Sequence, residues 1–333
     1  MAELYRKYLK PEYGEAAPDA VIPSAQGFDI NLPTEYRIMQ NFETITDLTM
    51  LWKNCYCFKK IMTVKTVNTF VHKQDHDIPL RIYLPHGEGP FKVMVFYHGG
   101  GWMMNSLDVY DYVPRYFAQY GNLLVITPEY RLAPEHRFPQ GLQDCYDTLV
   151  WTHENAARYG GDTSSVSVCG DSAGGNIAAV VSLMARDSGG PAIHKQFLFF
   201  PATVMNLGYR TTSEKRYGNG DYFLEMNSED GSLVPAYLDD PADAAKPYVS
   251  PLLAPNLSNL PPAMFLSAEC DPLLDQGLMY AAKLEDNGNQ VEYNIYKGMI
   301  HAFLNRPQQK TFEAMNDVIS ALPPTLKREE NKK

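Results

Sequence analysis

Residues 165–181 read SVSVCGDSAGGNIAAVV, and this stretch decides the fold of the chain. The segment before Gly170 leans apolar and is typical of a strand, while the segment from Asn176 onward is typical of the start of a helix. Between them, residues 170–175 read GDSAGG. A G-x-S-x-G turn holds its serine in strained backbone geometry and needs small neighbours, because strand and helix approach closely there. The stretch therefore predicts a strand, a tight turn and a helix, with the Ser172 hydroxyl exposed at the apex.

The sequence on both sides of this turn has a regular alternation. From Phe91 onward, short β-rich runs alternate with segments long enough to form helices. Such apolar strands, each followed by a helical stretch, are typical of a parallel sheet covered by helices on both faces. The predicted strands are residues 92–97, 123–127, 166–169, 197–200, 263–267 and 291–296.

Two further strands are predicted upstream of this series. Residues 61–70 and 80–84 are joined by a polar turn around Asp75 and predict an antiparallel hairpin at the edge of the sheet. The predicted fold class is therefore α/β, with a central sheet that is mostly parallel but mixed at one edge.

Two regions do not follow the alternation. Residues 1–55 are rich in tyrosine and phenylalanine, with an amphipathic helix predicted at about 34–52, and residues 204–247 form a polar, acidic insertion with scattered aromatic residues. Long insertions in compact domains are usually functional or disordered, so we expect the two regions to form a cap over the sheet. The alternative, that they only extend the surface, stays open. The core is then predicted in two parts, residues 56–203 and 248–326, followed by a frayed charged tail over residues 327–333.

Composition excludes some classes of function. The chain has 333 residues, with 29 Lys and Arg against 39 Asp and Glu, so its formal net charge is −10. This balance argues against nucleic acids and anionic membrane surfaces as partners, because both are bound by concentrated positive charge. No apolar run is long enough for a membrane span, and residues 1–10 are too polar for a signal peptide, so we expect a cytoplasmic protein. Five cysteines without a regular framework predict reduced, mostly buried thiols.

A serine needs a base to take its proton, and the base works best when a buried carboxylate orients it. The chain offers partners in the order serine, aspartate, histidine: Asp271 follows the predicted strand 263–267, and His301 follows the predicted strand 291–296. The carboxyl ends of parallel strands lie at one edge of a sheet, where open α/β sheets bind ligands. We therefore expect Ser172, Asp271 and His301 to converge as a catalytic triad.

Two other carboxylates compete with Asp271 for the position beside the histidine. Glu269 and Asp275 lie in the same segment. Asp271 is preferred because it follows the strand end by a few residues and is fixed by Pro272. Asp275 is the reserve, with an expected role in bonding the backbone of its own loop.

Acyl transfer also needs hydrogen-bond donors for the oxyanion. Three glycines follow His98 directly after a strongly apolar strand, and glycines free backbone N–H groups to line a concave site. We expect Gly100 and Gly101, together with the N–H of Ala173, to form the oxyanion hole, while His98 and Gly99 support the loop. A hinge or a phosphate-binding loop is the alternative, but no Lys or Ser/Thr of a Walker pattern follows.

The best candidate for a metal site is weak. Cys55 and Cys57, with His72 and His76 downstream, have a C-x-C spacing that falls short of the usual zinc-ligand spacing. Both histidines also fall on the predicted hairpin and its turn. We therefore predict no metal and no cofactor.

The residues after the oxyanion loop are candidates for the substrate pocket. Trp102, Met103 and Met104 are predicted to wall one side of it, and Tyr222 and Phe223 of the insertion to lie above, which favours apolar ligands. The alternative, that these residues only pack the core, stays open.

The chain resembles the hormone-sensitive lipase-like family of α/β-hydrolase carboxylesterases in five motifs that follow the family's order. The resemblance implies an α/β-hydrolase fold, a triad of Ser172, Asp271 and His301, an oxyanion hole from the glycines after His98 with Ala173, and a helical cap. The longer amino-terminal segment departs from the family, so the specificity of the cap is not carried over. The motifs are HGGGW at 98–102, EYRLAPE at 129–135, GDSAGGN at 170–176, DPLLD at 271–275 and GMIHAF at 298–303.

These observations lead to one functional hypothesis with two alternatives. The hypothesis is a serine carboxylesterase that hydrolyses short-acyl esters, a small-molecule substrate, through an acyl-enzyme intermediate. The first alternative is a deacetylase of acetylated sugars or arylamides that uses the same triad. The second is a non-catalytic small-molecule receptor with this fold, against which His301 in its motif argues. The edge of the predicted strand 291–296 is a candidate homodimer contact, because an unprotected edge can pair with its twin.

Overall fold

The computed structural model describes residues 48–226 and 236–322. The amphipathic helix predicted at about 34–52 lies outside the described residues except at its end, where residues 48–53 are helical. Most of the predicted amino-terminal cap segment, residues 227–235 of the insertion and the tail 327–333 also lie outside the described residues.

Eight strands form one mixed sheet in the order β1-β2-β4-β3-β5-β6-β7-β8. β1 pairs antiparallel with β2, and β2 pairs antiparallel with β4, whereas the other neighbours run parallel. The mostly parallel sheet and its antiparallel edge hairpin are therefore confirmed. The strands are β1 (Lys65–His72), β2 (Asp77–Leu84), β3 (Phe91–Tyr97), β4 (Leu124–Pro128), β5 (Gly161–Asp171), β6 (Gln196–Phe199), β7 (Ala263–Cys270) and β8 (Val291–Ile300).

Helices cover both faces of the sheet. After the helical residues 48–53, the main helices are α1 (Phe58–Ile61), α2 (Tyr112–Gly121), α3 (Gln140–Asn155), α4 (Ala173–Asp187), α5 (Thr212–Tyr217), α6 (Leu274–Asp286) and α7 (Gln309–Ser320). Alternate residues of β3 enter two separate cores: Val93 and Val95 pack in the core with α3, α4 and α6, and Met94 and Phe96 pack in the core with α2 and α7. Because both faces are buried, the central strands are apolar throughout rather than alternating.

The turn between β5 and α4 explains its glycines. Ser172 has φ 55° and ψ −117°, a backbone conformation that side chains rarely adopt. A Cβ atom on Gly174 would lie 2.1 Å from the carbonyl oxygen of Tyr97, and one on Gly170 would lie 2.3 Å from the carbonyl oxygen of Gly174. Only glycine lets α4 approach the end of β3 this closely, and the approach leaves the Ser172 side chain at the apex.

Several strands are longer than the sequence predicted, and two of them lead into the candidate site. β7 continues to Cys270 and β8 to Ile300, so Asp271 and His301 follow their strands directly. The register between β7 and β8 shifts between Ala268 and Cys270, which allows both strands to extend past the irregularity.

The expectation for the cysteines is wrong for one pair. Cys55 and Cys57 form a disulfide, because the turn around Tyr56 brings their Cα atoms to 5.5 Å, within the range that a disulfide spans. The remaining three cysteines, Cys145, Cys169 and Cys270, are free and buried.

The edge hairpin is joined to α3 through a buried carboxylate. Asp144 accepts hydrogen bonds from Arg131 Nη2 at 2.8 Å and Arg131 Nε at 2.9 Å, and Nε2 of His76 lies 3.0 Å from it. Hydrogen bonding to Asp144, and then to Asp75, raises the pKa of His76. A raised folded pKa gives stability that is complete below the unfolded value of about 6.5 and is lost as pH rises through the folded pKa.

We therefore expect the melting temperature of the wild type to fall as pH rises from about 6 to 8, and we expect His76→Gln to remove part of that slope. His72→Gln is the matched control, because His72 lies on the same hairpin with 76% of its side chain exposed and its surface pair with Asp77 adds little. Calorimetry across the pH series measures both, and an unchanged slope in His76→Gln would contradict the role of this pair.

Candidate active site

The ends of three parallel strands bring a serine, a histidine and a carboxylate together. The Oγ atom of Ser172, after β5, lies 2.9 Å from Nε2 of His301, after β8. Nδ1 of the same ring lies 2.7 Å from Oδ2 of Asp271, after β7. With its proton on Nδ1 donated to the carboxylate, the ring presents Nε2 as an acceptor for the serine hydroxyl. His301 and Asp271 are buried, whereas Ser172 is half-buried.

The backbone fixes the orientation of Asp271. Its second oxygen, Oδ1, accepts a hydrogen bond from the N–H of Leu273 at 2.8 Å, at the start of α6. One oxygen is thus held by the main chain and the other faces the histidine. Two anchored oxygens prevent the carboxylate from rotating away from His301.

The two competing carboxylates bond elsewhere. Oε2 of Glu269 accepts from the N–H of Gly298 at 2.7 Å, across the irregular pairing of β7 and β8. Oδ2 of Asp275 accepts from the N–H of Ser213 at 2.9 Å, in α5 of the insertion. We expected Asp275 to bond its own loop, but this contact joins the loop to the insertion. Of the three carboxylates, Asp271 is the one hydrogen-bonded to His301.

The glycine loop after β3 lies beside the serine turn. Gly100 has φ +128° and Gly101 has φ +59°, values that favour glycine. The carbonyl of Gly100 accepts from the N–H groups of Met103 at 3.1 Å and Met104 at 2.9 Å, which closes the loop. Within residues 48–226 and 236–322, no hydrogen-bond acceptor contacts the N–H groups of Gly100, Gly101 or Ala173. These three N–H groups therefore stay the candidate donors for an oxyanion.

His98 lies at the base of this loop. Its Nδ1 atom lies 2.8 Å from the carbonyl oxygen of Gly99, and its ring stacks on Tyr130 with centroids 4.3 Å apart. The Tyr130 hydroxyl donates to the carbonyl of His98 at 2.7 Å. Burial lowers the pKa of His98 to about 4, so the ring is neutral at physiological pH. These contacts fasten the glycine loop to the EYRLAPE segment.

Two phenylalanines flank the imidazole of His301. Phe200 meets the ring edge-on with centroids 4.9 Å apart, and Phe223 of the insertion lies nearly parallel to it at 6.2 Å. The sequence indicated Phe223 but not Phe200. Phe200 directly follows β6 at the same sheet edge as Ser172, and that position is the signal that could have found it. Its φ of 33° directs the chain through an unusual turn there.

The other predicted pocket residues pack in different ways. Trp102 and Met103 are buried in the core, and Met104 is half-buried against it. The Trp102 ring stacks on Tyr237 with centroids 4.7 Å apart. Tyr222 meets Tyr217 edge-on at 4.9 Å.

The candidate metal ligands have other partners. Cys55 and Cys57 are joined to each other, and Nδ1 of His72 lies 2.8 Å from Asp77. No cluster of three or more His, Cys, Asp or Glu side chains suited to a metal ion occurs within the described ranges. In the same ranges, no helix has the length and apolar character needed to cross a membrane.

A serine hydroxyl that meets a histidine oriented by a buried carboxylate, beside free backbone N–H groups, is the arrangement used by serine hydrolases. Comparison with known proteins points to the same class. A family described as alpha/beta hydrolase fold matches residues 94–305.

Several relatives share most of the chain. Carboxylic ester hydrolase LipN of Mycobacterium tuberculosis is 40% identical over 259 residues, which cover 76% of this chain and 68% of LipN. An arylesterase of Saccharolobus solfataricus is 36% identical over 249 residues, covering 75% of this chain and 79% of the relative. The structure of a hyperthermophilic esterase from Pyrobaculum calidifontis is similar with a TM-score of 0.81 and 32% identity, covering 89% and 92% of the two chains. The chain belongs to the hormone-sensitive lipase-like family of α/β-hydrolase carboxylesterases.

Proposed function

We propose that Ser172, His301 and Asp271 are the catalytic residues with which this carboxylesterase hydrolyses esters of short acyl groups. The observation that carries the proposal is the continuous hydrogen-bonded chain from the Ser172 hydroxyl through both nitrogens of His301 to the Asp271 carboxylate. Such a chain gives the nucleophile a base and gives the base a fixed orientation.

In the first half of the reaction, Nε2 of His301 takes the hydroxyl proton while Ser172 Oγ bonds to the ester carbonyl carbon. The carbonyl oxygen gains negative charge, and the N–H groups of Gly100, Gly101 and Ala173 bind it. Removing one such donor typically costs roughly 3 to 4 kcal/mol of transition-state stabilisation. The carbon–oxygen bond to the alcohol then breaks, and His301 returns its proton to the leaving oxygen.

In the second half, the same groups act on water. His301 takes a proton from a water molecule, whose oxygen attacks the acyl carbon, and then gives that proton to Ser172 as the acid departs. Asp271 keeps the ring of His301 oriented and stabilises the imidazolium that forms in each half. No cofactor enters either step.

The preference for short acyl groups is supported by the surroundings of the base. Phe200 and Phe223 flank His301 on two sides, so a small acyl group needs the least rearrangement of these rings. The name of the Saccharolobus solfataricus relative, arylesterase, supports p-nitrophenyl esters as test substrates.

A panel of p-nitrophenyl esters tests this substrate class. We expect kcat/KM to be highest for acetate or butyrate and to fall through octanoate to palmitate. The same panel includes an acetylated xylan and an acetanilide, and faster turnover of either would favour the deacetylase. A maximum at palmitate would contradict the short-acyl proposal. Reaction with an organophosphate, located at Ser172 by mass spectrometry, is expected of the enzyme and not of a receptor that lacks a working base.

The proposal extends to assembly and location. β8 is the last strand in the sheet order, so its outer edge is a candidate for pairing with a second copy. Light scattering that gives twice the chain mass would support a homodimer, and a monomer mass would contradict it.

The expected location is the cytoplasm, which cell fractionation checks. The division into a core at 56–203 and 248–326 with cap segments at 1–55 and 204–247 also stays a prediction, which limited proteolysis can test.

A further inference from the structure

One buried carboxylate beside the nucleophile has no part in the reaction described above. Asp171 is the last residue of β5, immediately before Ser172, and 1% of it is exposed. Its Oδ1 atom accepts from the N–H of Gly99 at 2.9 Å, and its Oδ2 atom accepts from the Tyr110 hydroxyl at 2.8 Å. Both oxygens therefore have protein partners, and one partner belongs to the glycine loop.

We propose that Asp171 is a positioning residue for the oxyanion hole: its carboxylate anchors Gly99 and thereby sets the direction of the next two N–H groups, those of Gly100 and Gly101. The inference rests on the proposed function, because the oxyanion role of these donors belongs to that mechanism. Tyr110 acts through Asp171 by holding its second oxygen.

The contact between loop and carboxylate is too close for any other residue at position 99. A Cβ atom on Gly99 would lie 2.6 Å from Oδ2 and 2.7 Å from the carbonyl oxygen of Asp171, and 2.9 Å from the Tyr110 hydroxyl. Side chains do not approach oxygen atoms at these distances, so the Gly99 backbone lies directly on Asp171. The loop and the residue before the nucleophile are thus in fixed contact.

Both peptide groups of Gly99 are held. Besides the N–H bond to Asp171, its carbonyl accepts from Asn105 Nδ2 at 3.0 Å and lies 2.8 Å from Nδ1 of His98. Gly100, the next residue, carries the first of the proposed oxyanion donors. The Gly99 carbonyl and the Gly100 N–H belong to one peptide unit, which directly follows the anchored N–H of Gly99. A small rotation of that unit would redirect the first donor, and donor direction is what oxyanion stabilisation requires.

The fold is destabilised by keeping this carboxylate ionised. Burial raises the pKa of Asp171 to about 6, against the lowering effect of its bonds to Tyr110 and Gly99. The other titratable groups that face it are His301, Tyr130 and Cys169 of its own strand. Since the folded pKa lies above the unfolded value of about 3.9, stability is complete below that value and falls as pH rises through the folded pKa. At pH 8 the charge therefore destabilises the fold, which is the pattern of a residue retained for activity.

The test uses Asp171→Asn in the full-length enzyme at pH 8. Asparagine has the same shape, can still accept from Gly99, and can donate to the Tyr110 oxygen, so the fold is expected to persist. We expect kcat on p-nitrophenyl butyrate to fall by about ten- to a hundredfold with little change in KM, because the charged anchor acts through groups used in the transition state. Inhibition by a trifluoromethyl ketone, whose adduct with a serine carries an oxyanion, is expected to weaken by a similar factor. The melting temperature is expected to equal or exceed that of the wild type.

A pair of tyrosine variants provides the matched comparison. Tyr110→Phe removes one bond to Asp171 and is expected to lower kcat by less than Asp171→Asn, again without raising KM. Tyr116→Phe is the control, because its hydroxyl also donates to a side-chain oxygen, that of Asn316, but on the face of α2 that packs toward α7. Tyr116→Phe is expected to keep the wild-type kcat.

The outcomes separate three cases. If Asp171→Asn kept the wild-type kcat and inhibitor affinity, the inference would be overturned. A lower melting temperature with unchanged kcat per folded molecule would also overturn it, because that result would indicate a purely structural role. Failure of the proposed function is distinguishable, because then the wild type would hydrolyse no ester or Ser172→Ala would retain full activity.

Discussion

Ser172→Ala is expected to lower kcat on p-nitrophenyl butyrate by about a millionfold, the size of loss seen when the nucleophile of a serine-triad hydrolase is removed. The reason is geometric: Oγ is the atom that we propose bonds to the acyl carbon, and it lies 2.9 Å from Nε2 of His301. Without it no acyl-enzyme forms. Binding of the ester and the melting temperature are expected to stay close to the wild type, because Ser172 is half-buried and the change removes one oxygen.

Ser167→Ala is the control for this variant. Ser167 lies on the same strand, is 1% exposed, and its hydroxyl oxygen has no hydrogen-bond partner among the described residues. Its removal is expected to leave kcat unchanged. Stopped-flow measurement of the first turnover sharpens the comparison, because the wild type and Ser167→Ala should release p-nitrophenol in a burst if deacylation is slow. Full activity in Ser172→Ala would contradict the assignment of the nucleophile.

Asp271→Asn is expected to lower kcat by about ten-thousandfold while leaving the fold intact, as the equivalent change does in a serine protease triad. An asparagine side chain can present its NH₂ group to Nδ1 of His301, which favours the tautomer that carries the proton on Nε2. That tautomer cannot accept the Ser172 proton. The carboxylate that would stabilise the imidazolium is lost as well. Measurement of kcat with circular dichroism as a check on folding tests this.

Glu269→Gln is the matched variant for the competing carboxylate. Glutamine can still accept from the N–H of Gly298, so we expect a loss of less than about tenfold, within the small effect of replacing one charged hydrogen bond. If Glu269→Gln lost more activity than Asp271→Asn, the acid of the triad would be Glu269 and the assignment of Asp271 would be wrong.

The convergence of Ser172, Asp271 and His301 could be predicted because it follows from the topology of the sheet. In a parallel sheet every strand ends at the same edge, so residues that follow β5, β7 and β8 meet without any knowledge of side-chain packing. The chain order of Ser172, Asp271 and His301 then matched one known arrangement. The glycine loop was predictable for the same reason, since it follows β3.

What the sequence could not show depends on contacts between distant segments. The bond from Gly99 to Asp171 joins residues 72 positions apart, and nothing in either motif alone indicates the pairing. Phe200 looked like an ordinary strand residue, because only the fold places it against His301. The disulfide between Cys55 and Cys57 depends on the local turn, which composition does not reveal.

The strand ends were misjudged for a related reason. The strand was predicted to end at Ser267, but β7 continues through Glu269, a residue type that is uncommon in the middle of a buried strand. The structure shows that its carboxylate is used by the N–H of Gly298 at 2.7 Å, which compensates for its burial. A tertiary hydrogen bond thus extends a strand that its own residue types would not continue.

The insertion between β6 and β7 contacts the ring of His301 and the segment that follows Asp271, and these contacts limit how the insertion can diversify. Ser213 donates its N–H to Asp275 and its hydroxyl to the carbonyl of Pro272, the residue after Asp271, while Phe223 lies over His301. A chimaera that imports a foreign insertion would therefore alter the loop that carries the acid and the ring that covers the base. A new specificity is easier to introduce when Ser213 and Phe223 of the recipient enzyme are kept and only the residues between them are exchanged.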